Sequence, residues 1–128
     1  MKKIPIGVED FREIIQNNYY YVDKTKLIED IINDGSKVKL FTRPRRFGKT
    51  LNMSTLKYFF DVRGREKNRE LFNNLYIQNS PVFSEQGKYP VIFISMKGIA
   101  DNNFEESLKK SEKKFQPYLM SIKIFQIF

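Results

Sequence analysis

The sequence predicts an α/β fold: a partial parallel sheet with flanking helices, preceded by two N-terminal helices. Three observations carry that expectation. Helical periodicities and short apolar runs alternate as helix, helix, strand, loop, helix, strand, helix, the order of a layered α/β domain. The run Val91-Ile92-Phe93-Ile94 is continuously apolar between Pro90 and Gly98, the pattern of a strand buried on both faces. A second short apolar run, KVKLFT at 37–42, leads directly into a basic loop that contains a glycine.

Each element has its own signals. Val8, Phe11, Ile14 and Ile15 keep helical spacing over 8–17, with acids in the first turn where the helix dipole favours them. Asn17 and Asn18 end that helix, and the aromatic run YYYV at 19–22 is extended. Asp23 is the expected N-cap of the second helix. Its Leu27, Ile28, Ile31 and Ile32 form one apolar stripe, and Gly35 is the expected C-terminal stop. After the basic loop, Leu51, Leu56, Phe59 and Phe60 give a third helix its apolar side, with Gly64 as terminator. A further helical piece, EKNRELFNNL, carries Leu71, Phe72 and Leu75, and turns fill 80–90. Asn103 caps a last helix with Glu106 three residues on. Phe104, Leu108 and Phe115 are its stripe, Pro117 bends or ends it, and the tail YLMSIKIFQIF is apolar.

Composition narrows the function. The chain has 128 residues, enough for one domain, and it carries 12 Phe and 7 Tyr, enough large apolar groups for a core. Cys and His are both absent. That excludes disulfides, thiolate or imidazole metal sites, and Ser-His-Asp or Cys-His catalysis. Lys and Arg number 23 against 15 Asp and Glu, a formal charge of +8. Such an excess attracts nucleic acid, nucleotides or anionic surfaces, and it also serves plain solubility. No apolar run approaches the roughly 20 residues of a membrane helix, and no signal-peptide apolar region follows Met1, so the expected location is cytoplasmic. The adjacent acids Glu29-Asp30 and Glu105-Glu106 face different directions on their helices and read as solvated surface, so no carboxylate pair is placed for acid–base work.

The chemistry concentrates at 43–50, Arg43-Pro44-Arg45-Arg46-Phe47-Gly48-Lys49-Thr50. A phosphate-binding loop needs a tight turn, backbone N–H groups facing the phosphates and a helix N-terminus behind them. Gly48 lets backbone approach a phosphate, Lys49 brings a point charge to the β- and γ-phosphates, and Thr50 brings a hydroxyl for Mg²⁺. A predicted strand before and helix after are the context the motif requires. Against the pattern G-x-x-x-x-G-K-[ST], Arg43 replaces the first glycine. That glycine ordinarily supplies a positive φ, and Pro44 is expected to impose another turn geometry in its place.

The stretches GVEDFREIIQNNYYYVDKT, LIEDIINDG and FTRPRRFGKTLNMSTLKYFFD resemble the bacterial and archaeal AAA-ATPase-like family. The likeness continues through NLYI at 74–77 and the KYPVIFIS stretch, and the tail beyond Ser111 departs from it. In that family an N-terminal P-loop domain is followed by one similar to PD-(D/E)XK nucleases. The resemblance implies a P-loop NTPase-like fold and binding of ATP and Mg²⁺ through Arg43 to Thr50. Gly48, Lys49 and Thr50 carry over as phosphate and Mg²⁺ contacts, and Arg45 and Arg46 as the family's basic pair. The run Tyr21-Val22-Asp23-Lys24-Thr25 also matches, with a role near the nucleotide base; Asp23 as a cap and the tyrosines as core explain it equally well.

Hydrolysis further needs an acid at the end of a second apolar strand. Here the second apolar run ends Ser95-Met96-Lys97. Asp61 falls on a helix, where it reads as a solvated residue. By the resemblance, the Walker B strand and the nuclease-like domain lie further along than residue 128. The 128 residues therefore read as an N-terminal portion that binds nucleotide without turning it over. Two alternatives stand beside this reading: a basic nucleic-acid-binding module built on Arg43, Arg45 and Arg46, and a remnant without function.

Overall fold

The computed structural model describes residues 1–95 and 103–125, and in them the chain is helical. The predicted parallel sheet is not formed among these residues. Their only β pairing is an isolated parallel bridge between Asp61 and Tyr89. Residues 37–42 are an irregular segment in which Val38 is 82% and Leu40 84% exposed. The run 91–95 likewise forms no strand, with Ile92 and Ile94 exposed. An apolar run becomes a strand only where another backbone takes up its N–H and C=O groups. Hydrophobicity alone does not supply that partner.

Residues 1–91 form one compact unit. Its core is Phe11, Ile28, Tyr58, Phe59, Leu71, Phe72 and Ile77, so the 3.6-residue stripes of the sequence do converge. Helix α1, Phe11–Gln16, starts at Asp10, whose Oδ1 accepts from the Glu13 N–H at 3.0 Å. It ends at the Asn pair, where Asn18 takes φ 52°. Helix α3, Lys49–Phe60, lies against α1. Three contacts fix the pair: the Phe11 N–H donates to Ser54 Oγ at 2.9 Å, Tyr58 Oη donates to Asp10 at 2.8 Å, and Arg12 covers the Tyr58 ring. Phe11 and Phe59 both pack on Phe72, with ring centroids 5.1 and 5.4 Å apart.

Helix α2, Lys26–Asn33, begins differently from the sequence expectation. Thr25 occupies the cap position, and Asp23 instead accepts from both the N–H and the hydroxyl of Thr25, at 2.8 and 2.7 Å. The same carboxylate accepts from the Tyr76 N–H at 2.6 Å, and Thr25 Oγ1 accepts from the Ile77 N–H at 3.2 Å. Asp23 and Thr25 thus tie the entry of α2 to a 3₁₀ helix at Tyr76–Asn79. A second tie comes from Glu29, which accepts from Ser80 Oγ at 3.0 Å and so is not the purely solvated acid its sequence position suggested. Helix α2 stops at Asp34 in an extended conformation, and Gly35 does not take the left-handed C-terminal role.

Gly64 does not terminate α3 either. That helix ends at Asp61, and Gly64 begins the short helix α4, Arg65–Glu70. Leu71 and Phe72 follow in turns yet are buried in the core, so the EKNRELFNNL stripe points correctly although only its first part is helix. Another 3₁₀ helix, Pro81–Glu85, leads to Gly87. There a Cβ would lie 2.6 Å from Arg65 Cβ at φ +69°, so the position needs a glycine twice over.

Four tyrosines of this unit resist ionisation. Burial raises the Tyr21 pKa, and burial with the Asp10 hydrogen bond raises that of Tyr58. Hydrogen bonds to Glu29 and Glu85 raise those of Tyr76 and Tyr89. Each phenol has a higher pKa folded than unfolded, so its contribution is complete below the ordinary value of 10.0 and is lost as pH rises through the folded values. Phenolate absorbance is expected to develop at higher pH in native than in urea-unfolded chain, with stability falling over the same alkaline window. Coincident native and unfolded titrations would contradict this.

The unit from Ile92 onward contains helix α5, Phe104–Phe125. Asn103 caps it by accepting from the Glu105 N–H at 3.0 Å. The helix does not end at Pro117, which lies inside it. Phe104 and Leu108 are exposed rather than a packed stripe, and the Phe115 side chain lies outside the described residues. Among the described residues no helix is long and apolar enough to cross a membrane.

Candidate phosphate-binding loop

Arg43, Pro44, Arg45, Arg46 and Phe47 are exposed and run into the N-terminus of α3 at Gly48. Two residues make the turn, Arg46 at φ 68° and Gly48 at φ 72°. The first-glycine position of the motif, Arg43, is not left-handed, so a non-glycine there is tolerated. The unusual conformation falls instead on Arg46, an arrangement costing on the order of 1–2 kcal/mol for a residue with a Cβ.

No side chain caps α3, and its first backbone bond runs from the Asn52 N–H to the Gly48 carbonyl at 2.9 Å. The N–H groups of Lys49, Thr50 and Leu51 therefore have no helical acceptor and sit at the positive end of the helix dipole. A Cβ placed on Gly48 would meet no atom within 4 Å, so the space above the loop is open. Lys49 crosses the loop, its Nζ donating to the Arg43 carbonyl at 2.6 Å.

Beside the loop lies a groove of about 560 Å³. Four cations line it, Lys24, Lys39, Arg43 and Lys49, together with the rings of Phe41 and Phe47. A smaller pocket of about 240 Å³ adjoins Gly48 and is walled by Tyr20, Tyr21, Val22, Lys24 and Asn52. Of the sequence-predicted residues, Arg43, Phe47 and Lys49 meet in the groove and Gly48 in the pocket. Pro44, Arg45, Arg46 and Thr50 line neither, although Thr50 is half-buried in the first turn of α3.

A model of the family described as predicted AAA-ATPase matches residues 5–124. The chain belongs to this AAA-ATPase-like family. It is also 39% identical over 98 residues to an uncharacterized protein of the vnfD 5′ region of Azotobacter chroococcum mcd 1. That match takes in 76% of this chain but only 17% of the relative, so the chain spans a small part of the relative's length. No solved structure matches.

Within this AAA-ATPase-like chain the cations of the groove differ in how they are held. Lys39 donates to the Asp34 carbonyl at 2.8 Å and pairs with the Asp34 carboxylate at 3.0 Å. Hydrogen bonds from Ser36 and Lys39 hold the Asp34 carboxyl at about 2. Lys39 is therefore already neutralised. Asp61 departs further from expectation. It is 5% exposed, and Arg63 engages both its oxygens, Nε at 3.0 Å and Nη2 at 3.1 Å. Among the described residues no group of three acids is placed to hold a metal ion. Sequence reasoning missed Lys39, Phe41 and Asn52, and it placed Lys24 only within a run expected near the nucleotide base, not in a groove with Arg43 and Lys49. Asn52 lay one helical turn past Gly48 with nothing to mark it.

Proposed function

We propose that residues 43–50 bind the phosphates of a nucleoside triphosphate, ATP, as its Mg²⁺ complex. The observation that supports this best is Gly48-Lys49-Thr50 at the uncapped N-terminus of α3 with open space above Gly48. Three helix N–H groups and the Lys49 ammonium are the donors a polyphosphate needs, and in this reading Lys49 exchanges the Arg43 carbonyl for a phosphate oxygen. The Thr50 hydroxyl is the protein's ligand to Mg²⁺, which when bound neutralises part of the phosphate charge.

Turnover is not part of the reading. Hydrolysis asks for an acid beside the metal, and Asp61, the first acid after the loop, is committed to Arg63. In this reading the 128 residues are the N-terminal portion of a longer protein, consistent with their covering 17% of the relative, and a nuclease-like domain follows. Calorimetric titration with Mg-ATP tests the loop. Lys49→Ala is expected to weaken binding at least about tenfold, the loss of one charge-assisted contact. Equal binding by a folded Lys49→Ala chain would remove the nucleotide reading and leave the basic cluster as a nucleic-acid contact.

A further inference from the structure

Lys24 lies outside the loop motif, yet it lines both cavities that adjoin the N-terminus of α3. In the groove it accompanies Arg43 and Lys49, and in the pocket it accompanies Gly48 and Asn52. Its backbone is anchored on both sides. Asp23 accepts from the Tyr76 N–H at 2.6 Å, and Thr25, which is fully buried, accepts from the Ile77 N–H at 3.2 Å. The Lys24 carbonyl itself accepts from the Leu27 N–H at 3.0 Å. The result is an exposed ammonium carried on a fixed backbone.

The other two lysines of the groove are already engaged. Lys39 is paired with Asp34, and Lys49 rests on the Arg43 carbonyl. Lys24 takes part in none of the ion pairs among the described residues. Most exposed lysines are only solvated surface and contribute little. The distinction here is position, because a compact ammonium accepts a phosphate from any direction and the anchored backbone limits the freedom lost on binding.

We propose that Lys24 is a second phosphate-binding ammonium, supplied from the entry of α2, that contacts the polyphosphate of the nucleotide held by residues 43–50. The proposal rests on the nucleotide reading above and deepens it. It assigns part of the site to a segment some twenty residues before the loop, and it gives the Asp23 and Thr25 network a function: fixing where that charge stands.

Calorimetry with Mg-ATP and with inorganic tripolyphosphate tests it on the unsubstituted chain, Lys24→Ala, Lys24→Arg and Lys26→Ala. Lys24→Ala is expected to weaken both ligands about 5–10-fold, and Lys24→Arg less than about threefold. Lys26 already pairs with Asp30 at 3.2 Å, so Lys26→Ala is expected to bind as the unsubstituted chain does. Circular dichroism and urea midpoints are expected to be unchanged in all three. Should Lys24→Ala fail to fold, Lys24→Gln removes the charge while keeping the stem, with the same expectation. Full-strength binding by Lys24→Ala, with Lys49→Ala still defective, would overturn the role of Lys24 and leave the loop reading intact. Equal weakening by Lys24→Ala and Lys26→Ala would overturn it as well, since net charge alone would then account for the loss. Failure of the unsubstituted chain to bind either ligand would overturn both proposals.

Discussion

Phe59→Ala is expected to cost about 3–5 kcal/mol, the range for truncating a buried phenylalanine. Phe59 is 0% exposed and sits at the centre of an aromatic cluster, with ring centroids 5.1 Å from Phe60, 5.4 Å from Phe72 and 6.0 Å from Phe83. These neighbours come from α3, from the turn after α4 and from a 3₁₀ helix, so collapse into the cavity would need three segments to move together. Its carbonyl accepts from the Gly87 N–H at 2.8 Å, which holds the local backbone in place and limits relaxation further. At about 0.05–0.15 kcal/mol per residue, a unit of this size has a total stability on the order of 5–13 kcal/mol, so the substitution removes a large share of it. Urea unfolding followed by circular dichroism measures the change. Phe104→Ala, at a ring 79% exposed, is expected to stay within about 0.5 kcal/mol. Similar costs at the two positions would show that the aromatic cluster is not the core.

The same cluster explains which sequence signals survived folding. Phe11, Ile28, Phe59, Leu71 and Phe72 were all picked out by helical spacing, and all are buried together. A helix satisfies its own backbone, so an apolar stripe along it is nearly sufficient information. Val38, Leu40 and the run at 91–94 carried an equally strong apolar signal and do not form strands among the described residues. A strand depends on a partner that no local pattern identifies. Asp61 failed for another reason. Its position near a helix end suggested solvation, but the bidentate partner two residues on and the bridge to Tyr89 bury it. Of the loop's expected context only the helix start was legible, because Gly48 encodes a local geometry, a left-handed residue followed by an uncapped helix; the strand expected at 37–42 is not formed. The groove was not legible, because Lys24, Lys39 and Phe41 reach it from separate places in the chain.

Asp23→Ala joins stability and site in one substitution. Its carboxylate accepts from the Thr25 N–H and hydroxyl and from the Tyr76 N–H, at 2.8, 2.7 and 2.6 Å. Hydrogen bonds to an ionised acceptor are worth about 1.5–3 kcal/mol each when isolated, and exposure of the Tyr76 contact to water lowers the total. Removing all three is expected to cost about 2–4 kcal/mol in urea unfolding, because Thr25 remains fully buried with its hydroxyl short of an acceptor. Asp23→Asn is expected to recover part of that, since an amide oxygen still accepts but without charge. If the Asp23 and Thr25 network also sets the position of Lys24, Asp23→Ala chains kept folded at low temperature should bind Mg-ATP about as weakly as Lys24→Ala chains do, and combining the two substitutions should add little to the binding loss. Additive losses would mean that Asp23 acts on the ligand by a route other than Lys24. A stability loss with binding intact would confine the network to the fold.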